Sequence, residues 1–500
     1  MFTSSVPFEF GDYMRVPVTV DPTLSRELPE HVGALHASSS PNGPRLLWAR
    51  SEEGRHAPGT RTGHYKLADI NLVCPVFTGT PEEIGCRRWT GGEGWRPLTP
   101  VQNLQGNAVG HVWTNDQDSV FLPFDPGEAM SWLWSERYTT LDDVRLRNWL
   151  RQLLVTVYYT IRPLLPRKLQ LLLRRRHAAR QTYPNFPKWP EEHALHDLYD
   201  WLLDRLEQVA GEPVPYLHPW PNGHPSAFVL THDVETSAGR DSIEALRAPE
   251  RARGLRSAWN LVPERYPVAD ELLDRLRSEG CEIGVHGLRH DGRDLASRRM
   301  LRKRLPAIRA WADRWGAVGF RSPATQRSWH LMPLLGFDYD SSYTDSAPHE
   351  PRPGGCCTYL PFFIDDLVEL PLTLPQDHTL FDILGMTDGS LWRSKVDALR
   401  SRGGMVLMIA HPDYVHCPGM LQAWEDLLDQ LSADPEAWHA LPREVAAWWR
   451  RRAQSVPVLA NGVWVVRGPA AGEGVVAWSS PHTCRQAEPV VTDACAAAHD

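Results

Sequence analysis

Residues 227–235 read Ala-Phe-Val-Leu-Thr-His-Asp-Val-Glu, an apolar run that leads directly into side chains capable of acid–base and metal chemistry. Three later apolar runs end in the same way, at His286, at Arg321 and at His411. Continuous apolar runs are typical of buried parallel strands, and barrel enzymes carry their catalytic groups at the carboxyl ends of such strands. The four junctions together therefore predict an active site.

Strand-like and helix-like segments alternate from residue 216 to 455, which predicts an α/β fold with a parallel sheet, open or closed into a barrel. Residues 1–215 are predicted to form a separate mixed α/β domain, with a strand at Ile70–Phe77. A Pro-rich passage at 213–225 marks the boundary. We expect residues 456–500 to form a short β-hairpin region and a flexible tail.

Composition narrows the function classes. The net charge of −8 argues against a general nucleic-acid binder, whose surface is basic. The eight cysteines show no paired CxxC spacing, which argues against a structural zinc cluster. No signal-peptide pattern stands at the start, and no apolar run approaches the roughly 20 residues that span a bilayer. We therefore expect a cytoplasmic protein.

Residues 145–188 contain eleven Lys or Arg and no Asp or Glu. A basic amphipathic helix there would make peripheral contact with an anionic membrane surface. The alternative is a helix that packs its apolar face on its own domain and leaves its arginine heads in water. The sequence leaves both interpretations open, and it does not indicate an oligomeric state.

His286 and His290 are four residues apart, a spacing that points both rings to one side of a helical turn or strand-to-helix corner. Two imidazoles and one carboxylate form a typical catalytic zinc site. Asp233 and Glu235 face the same way in an extended segment, so one can bind the metal while the other takes a proton. The alternative is an ordinary polar turn in which Asp233 caps the next helix.

Two further residues have candidate roles. Arg321 could hold Asp233 in place by a bidentate hydrogen bond, or could be a surface residue. His411 could protonate a leaving amine as a general acid, or could be a buried structural histidine.

The order Thr-His-Asp-Val-Glu, His-x-x-x-His, Arg-x-Pro and a strand-terminal His resembles the polysaccharide deacetylase (NodB homology) family, carbohydrate esterase family 4, over roughly residues 225–420. The resemblance implies a distorted (β/α)7 barrel, and hydrolysis of an N-acetyl group on an amino sugar with a divalent metal, zinc or else cobalt or nickel. It implies these roles: Asp233 as general base, Glu235, His286 and His290 as metal ligands, Arg321 as the residue that orients the base, His411 as general acid, and Pro323, Asp340 and Tyr343 as substrate-binding residues. Asp340 or Asp345 is the expected residue to orient His411.

The sequence departs from the usual Thr-Phe-Asp-Asp-Gly motif of that family at Val234, where the second Asp would bind the metal. Some branches place this ligand two residues after the base, and Glu235 fits that pattern with a longer arm. The usual tryptophan of the groove wall is also missing, which favours a substrate other than a cell-wall polymer. Lipid-linked or nucleotide-linked amino sugars are candidates.

Three functions remain open from the sequence. The first is the amino-sugar N-deacetylase. The second is a hydrolase of linear or cyclic C–N bonds in non-sugar amides, like allantoinase. The third is an inactive carbohydrate-binding protein in which Val234 marks the loss of metal binding.

Overall fold

The computed structural model describes residues 1–26, 28–51, 55–86, 94–141, 186–350 and 352–479. The predicted tail, 482–500, and all of the basic segment 145–188 except its last three residues lie outside these ranges. None of the described helices is long and apolar enough to cross a membrane.

The first part of the chain forms a mixed nine-stranded sheet. Its order is β2-β1-β3-β4-β9-β8-β7-β5-β6. The strands are β1 (Phe2–Ser4), β2 (Val18–Val20), β3 (Val32–Ala37), β4 (Arg45–Ala49), β5 (Thr60–Leu67), β6 (Ile70–Phe77), β7 (Arg96–Asn103), β8 (Ala108–Thr114) and β9 (Val120–Leu122). The helices are α1 (Glu9–Met14), α2 (Pro22–Ser25), α3 (Pro126–Trp134) and α4 (Ala194–Ala210). Asp125 caps α3 by accepting from the backbone of Gly127, and the apolar faces of α3 and α4 join the core of this sheet.

The second sheet carries the four apolar runs singled out in the sequence. Its order is β16-β17-β15-β14-β13-β12-β11-β18, and every pair is parallel except β16 with β17. The strands are β11 (Ala227–Val234), β12 (Ala258–Leu261), β13 (Glu282–Val285), β14 (Gly319–Phe320), β15 (Tyr339–Asp340), β16 (Phe362–Ile364), β17 (Leu367–Glu369) and β18 (Met405–Ala410), and a short β19 (Trp438–His439) also pairs with β11. The predicted α/β class with a parallel sheet is confirmed.

The sheet is curled, and its two sides are brought together beyond the regular strand pairs. After β17 the chain turns towards β18, where the amides of Thr373 and Leu374 donate to the Leu407 carbonyl at 3.3 and 3.2 Å. The Thr373 hydroxyl also donates to the carbonyl of Met405. These bonds replace part of a strand ladder, so the curvature of a barrel is present without regular pairing at this seam.

Helices cover the outer face of this sheet. They are α5 (Ser237–Asp241), α6 (Ile243–Ala252), α7 (Asp270–Ser278), α8 (Arg298–Trp315), α9 (Ser390–Ser401), α10 (Met420–Ser432) and α11 (Pro442–Ala453). Helix α8 is rich in arginine; it begins at the Ser297 cap and ends at Gly316, which is in the left-handed conformation. Its buried face includes Leu301 and Ile308, while most of its arginines lie on the outer side.

The C-terminal part of the described chain returns to the first part. Strands β20 (Val456–Ala460) and β21 (Val463–Arg467) form a hairpin, and β22 (Val476–Trp478) pairs with β10 (Pro215–Leu217) at the predicted domain boundary. Arg452 of α11 is buried and donates to the carbonyls of Tyr13 and Met14 at the end of α1. The last helix therefore ties the two sheets together.

A buried ion pair joins the same two parts of the molecule. The guanidinium of Arg327 donates Nε to Glu136 Oε2 at 2.8 Å and Nη2 to Glu136 Oε1 at 2.5 Å. Both side chains are almost fully buried. Removing either Arg327 or Glu136 would leave the other charge buried without its main partner. The pair therefore favours the contact between these two parts of the molecule.

We expect Arg327→Met to lower the free energy of unfolding by about 3–5 kcal/mol, because it leaves the Glu136 carboxylate buried without its main counter-charge. The double variant Glu136→Gln/Arg327→Met should recover part of this loss, because it removes both charges. Chemical denaturation of the three proteins measures both effects. A single variant as stable as the wild type would show that the pair does not hold the interface.

Glu282, at the amino end of β13, lies at the opposite end of the sheet from the four junctions. Its carboxyl group accepts from the Tyr339 hydroxyl at 2.8 Å and from the Arg443 amide at 3.1 Å. Burial raises the pKa of Glu282 to about 7. The folded protein therefore holds a proton there that the unfolded chain releases at lower pH.

The folded pKa of Glu282 exceeds its ordinary value of 4.5, so its contribution to stability is present at low pH and is lost as the pH rises to about 7. We expect the wild-type Tm to fall relative to that of Glu282→Gln between pH 5 and pH 7.5. Parallel melting curves of the two proteins test this. A pH-independent difference in Tm would mean that the Glu282 side chain does not titrate in that range.

Candidate metal centre and active site

The four junctions meet at one edge of the curled sheet. Strands β14, β13, β12, β11 and β18 lie side by side and run parallel, so their carboxyl ends face the same way. His286 directly follows β13, Arg321 follows β14 and His411 follows β18. The side chains predicted to act together are therefore neighbours in space, although up to 178 residues separate them along the chain.

His286 offers a buried ring nitrogen to this edge. Its Nδ1 lies 3.1 Å from the Arg321 carbonyl, an acceptor, so Nδ1 carries the hydrogen. Its Nε2 is buried and has no hydrogen-bond partner among the residues that the structure describes. Burial lowers the pKa of His286 to about 4, which keeps the ring neutral at physiological pH. A neutral imidazole oriented through its other nitrogen is a ready metal ligand.

His290 reaches the same place from a tight turn rather than from a helix. Its φ angle of 55° is in the left-handed region, and its ring centroid lies 4.9 Å from that of His286. Gly287, with φ 62°, leaves no room for a side chain, because a Cβ there would lie 2.6 Å from Pro323 and from Asp294. Pro323 therefore packs against the turn that positions the two histidines.

Glu235 completes a three-ligand set with these histidines. Its Oε1 lies 3.0 Å from His290 Nε2. One ligand atom from each of Glu235, His286 and His290 lies within 4.8 Å of the other two. Val234 is fully buried in the core, as expected when neighbouring side chains alternate along a strand. The donor set and the unpartnered His286 nitrogen fit a divalent cation such as zinc.

Asp233 lies beside this set and is fixed by two donors. Its Oδ1 accepts from Asn260 Nδ2 at 2.8 Å and from Arg321 Nη1 at 3.0 Å, while its Oδ2 lies 3.8 Å from His286 Nε2. The prediction of a bidentate Arg321–Asp233 bond is wrong, because only Nη1 reaches the carboxylate. The cap of helix α5 is Thr236, so Asp233 does not serve as a helix cap.

Arg321 is buried and has its other donors satisfied. Its Nε donates to the Ser341 carbonyl at 2.7 Å, its Nη2 donates to the Ser341 hydroxyl at 2.9 Å, and Nη1 also donates to the Thr231 hydroxyl at 2.8 Å. Burial alone would raise the pKa of Asp233, but the charges of Arg321 and His286 lower it to about 2. Asp233 is therefore ionised at neutral pH.

His411 is held by Asp377. Its Nδ1 lies 2.6 Å from Asp377 Oδ1, and its backbone amide donates to Asp377 Oδ2 at 2.6 Å. The free nitrogen, Nε2, lies 4.0 Å from Glu235 Oε1. Burial alone would lower the pKa of His411, but the Asp377 carboxylate raises it to about 10, so the ring is protonated at neutral pH.

The expectation that Asp340 or Asp345 orients His411 is wrong. Asp345 instead pairs with Lys395 Nζ at 2.6 Å. Asp340 lies opposite Glu369 in the β15–β17 ladder, and burial raises the pKa of both carboxyl groups. One proton is therefore retained between this buried pair, away from His411.

Asp340, Tyr343 and Pro323, the residues predicted to bind substrate, are buried. Asp340 and Tyr343 are 0% and 1% exposed, and the ring of Tyr343 lies under the Arg327 guanidinium. Pro323 is buried against the Gly287 turn. Asp233, His286 and His411 are about equally buried, so burial does not decide which of these side chains contacts a substrate, and the assignment of Asp340, Tyr343 and Pro323 stays a prediction.

Asn260 and Asp377 contact the predicted site residues but are not predicted by the sequence analysis. Asn260 had a usable signal, since it is a polar residue within the apolar strand β12 and one position before its end. Asp377 has no such signal, because it lies at the start of a short π-helix, His378–Ile383, and does not follow an apolar strand.

No family model and no curated protein matches the chain. Several solved structures match about half of the chain. One is a protein named as a polysaccharide deacetylase from Mycobacterium smegmatis, with 22% sequence identity and a TM-score of 0.40; the match covers 49% of this chain and 97% of that one. A probable polysaccharide deacetylase from Pseudomonas aeruginosa has 18% sequence identity and a TM-score of 0.39, and the match covers 49% of this chain and 97% of that one. An allantoinase has 15% sequence identity and a TM-score of 0.39, and the match covers 47% of this chain and 93% of that one.

We expect the protein to bind one zinc ion, and the single variants His286→Ala and His290→Ala to weaken that binding by at least about 100-fold, because each removes a ligand. Isothermal titration with zinc after chelation measures it. His439→Ala is a matched control, because it removes a histidine near the amino end of β11. Unchanged zinc affinity in the double variant His286→Ala/His290→Ala would exclude this site.

Proposed function

We propose that this protein is a metal-dependent hydrolase that removes the N-acetyl group from an amino-sugar-containing substrate, as a divergent relative of the polysaccharide deacetylases. The proposal is carried by one observation, the meeting of the Glu235–His286–His290 donor set with an ionised carboxylate and a protonated imidazole at one edge of the sheet. Amide hydrolysis needs these components: a polarised acyl group, a base for the attacking water and an acid for the leaving amine.

Glu235, His286 and His290 would hold the cation. Zinc bound there supplies Lewis-acid chemistry, which polarises an acyl oxygen and lowers the pKa of a water molecule. The neutral state of His286 favours this ligand set, because a protonated imidazole cannot bind a metal.

Asp233 is the general base in this proposal. Its Oδ1 is occupied by Asn260 and Arg321, which leaves Oδ2, on the His286 side, to accept a proton from water. The low pKa of Asp233 keeps the carboxylate ionised, and its two donors fix the orientation of the oxygen that works. A positioned base of this kind contributes about 10²–10⁴-fold to a rate.

His411 is the general acid. Asp377 holds its Nδ1, so Nε2 is directed towards Glu235 and can donate a proton to a leaving amine. The environments of Asp233 and His411 drive their pKa values apart, which assigns base and acid to separate groups at neutral pH. This assignment also argues against the inactive carbohydrate-binding protein, since Glu235 supplies the carboxylate that Val234 does not.

The substrate class rests on the resemblance in motif order and on the chemistry of the site. The sequence lacks the tryptophan that is usual in the groove wall of that family, so we favour a small or carrier-linked amino sugar. The first substrates to assay are N-acetylated amino sugars in three forms: free, nucleotide-linked and lipid-linked. Release of acetate is the measured product.

We expect Asp233→Asn to lower kcat by about 10²–10⁴-fold while zinc binding is retained, because the base is removed and the three ligands stay. Acetate release and zinc stoichiometry are measured on the same preparation. The matched control is Glu282→Gln, the same carboxyl-to-amide change at the far end of the sheet.

Two outcomes would contradict the proposal. Turnover by Asp233→Asn at the wild-type rate would remove Asp233 as the base. Hydrolysis of ureides or cyclic imides without any release of acetate from amino sugars would assign the site to the allantoinase-like class instead.

A further inference from the structure

Asp413 fixes the backbone of Glu235 from across the site. Its Oδ2 accepts from the Glu235 amide at 2.9 Å, and its Oδ1 accepts from the Thr236 hydroxyl at 2.5 Å. Asp413 and Glu235 are 178 residues apart in the chain. A side chain from the end of β18 therefore holds the segment that follows β11.

The Asp413 carboxylate is also closely packed against the first turn of helix α5. Gly239 lies against the Asp413 carboxylate, since a Cβ at that position would lie 2.1 Å from Asp413 Oδ2. The Thr236 hydroxyl that donates to Asp413 also accepts from the Gly239 amide at 3.2 Å and so begins helix α5. Asp413, Thr236 and Gly239 form one arrangement in which each limits the movement of the others.

Glu235 needs such support because it lies one residue past its strand. The ladder between β11 and β12 ends at Val234 with Leu261, so strand pairing does not hold Glu235. A glutamate also has one more rotatable bond than an aspartate, and ordering it costs conformational entropy. A fixed backbone amide reduces the number of conformations in which its carboxylate misses the histidines.

Asp413 also belongs to the turn that carries the general acid. It is part of the 3-10 turn Pro412–Tyr414, and the Tyr414 amide donates to the His411 carbonyl at 3.0 Å. His411 Nε2 lies 4.0 Å from Glu235 Oε1. One short turn therefore sets the positions of both groups relative to each other.

We propose that Asp413 is a positioning residue that places the metal ligand Glu235 against His290 and His411. The proposal rests on the proposed function, because it assigns Glu235 to the metal. It adds a residue outside the ligand set whose loss weakens metal binding and slows turnover without removing a ligand. Partners that orient a metal ligand typically contribute about 10–100-fold in metal affinity or activity.

The test compares Asp413→Ala, Asp413→Asn and Glu282→Ala in the full-length protein. Glu282→Ala is a matched control, because Glu282 likewise accepts from one backbone amide and one hydroxyl, but at the opposite end of the sheet. Zinc affinity, kcat, KM and Tm are measured for each.

We expect Asp413→Ala to weaken zinc binding by about 10–100-fold and to lower kcat more than it changes KM. Asp413→Asn should restore zinc affinity to within about 5-fold of the wild type, because its oxygen can accept from the Glu235 amide and its amide can donate to the Thr236 hydroxyl. Glu282→Ala should lower Tm with zinc affinity unchanged.

Wild-type zinc affinity in folded Asp413→Ala would overturn the proposal, and so would an equal loss of affinity in Glu282→Ala. A crystal structure of Asp413→Ala is the second measurement, with or without zinc. Displacement of Glu235 from its 3.0 Å approach to His290 supports the proposal, and an unchanged approach overturns it. Failure of the proposed function would look different, as a wild-type protein that binds no zinc at His286 and His290.

Discussion

The site depends on the cost of burying an imidazole nitrogen and a carboxylate without water. Within the described part of the chain, the buried His286 Nε2 has no hydrogen-bond partner, while Glu235 and His290 place their own ligand atoms within 4.8 Å of it. A cation satisfies all three at once, whereas protonation of His286 is opposed by burial. The other charged groups of the site form ion pairs beside these three ligands: Asp233 pairs with Arg321, and His411 pairs with Asp377.

The curled parallel sheet makes this arrangement possible. Strands β11, β13, β14 and β18 each end in a functional segment at the same edge of the sheet. The loops that follow the strands contact one another through side-chain hydrogen bonds rather than through backbone ladders. Arg321 bonds to Ser341 on the next loop, and Asp413 bonds to Glu235 across the β11–β18 pair. Because most of these polar groups are buried, each depends on its neighbour, and a change at one position is expected to move several.

Much of this was predictable from the sequence, because the functional residues follow apolar strands directly. His286, Arg321 and His411 each stand next to a run whose burial is evident from its composition, and their order along the chain matched a known set of motifs. Glu235 was predictable from the alternation of side chains after Asp233.

Other features depend on tertiary contacts that no local pattern encodes. Strands β15 and β17 are two and three residues long, too short for a periodic signal, and Asp377 lies at the start of the short π-helix His378–Ile383 rather than after an apolar strand. Asp340 was expected at the surface of a groove, but its strand pairs with β17 and buries it against Glu369. A polar residue beside a motif can therefore be a buried support, and the sequence cannot distinguish this from substrate contact.

X-ray absorption at the zinc edge of the metal-loaded protein measures whether Glu235, His286 and His290 bind the metal. We expect two imidazole nitrogens and at least one carboxylate oxygen at about 2.0–2.2 Å, with the outer-shell scattering of two rings. A first shell containing sulfur at about 2.3 Å, or one without imidazole scattering, would contradict this ligand set.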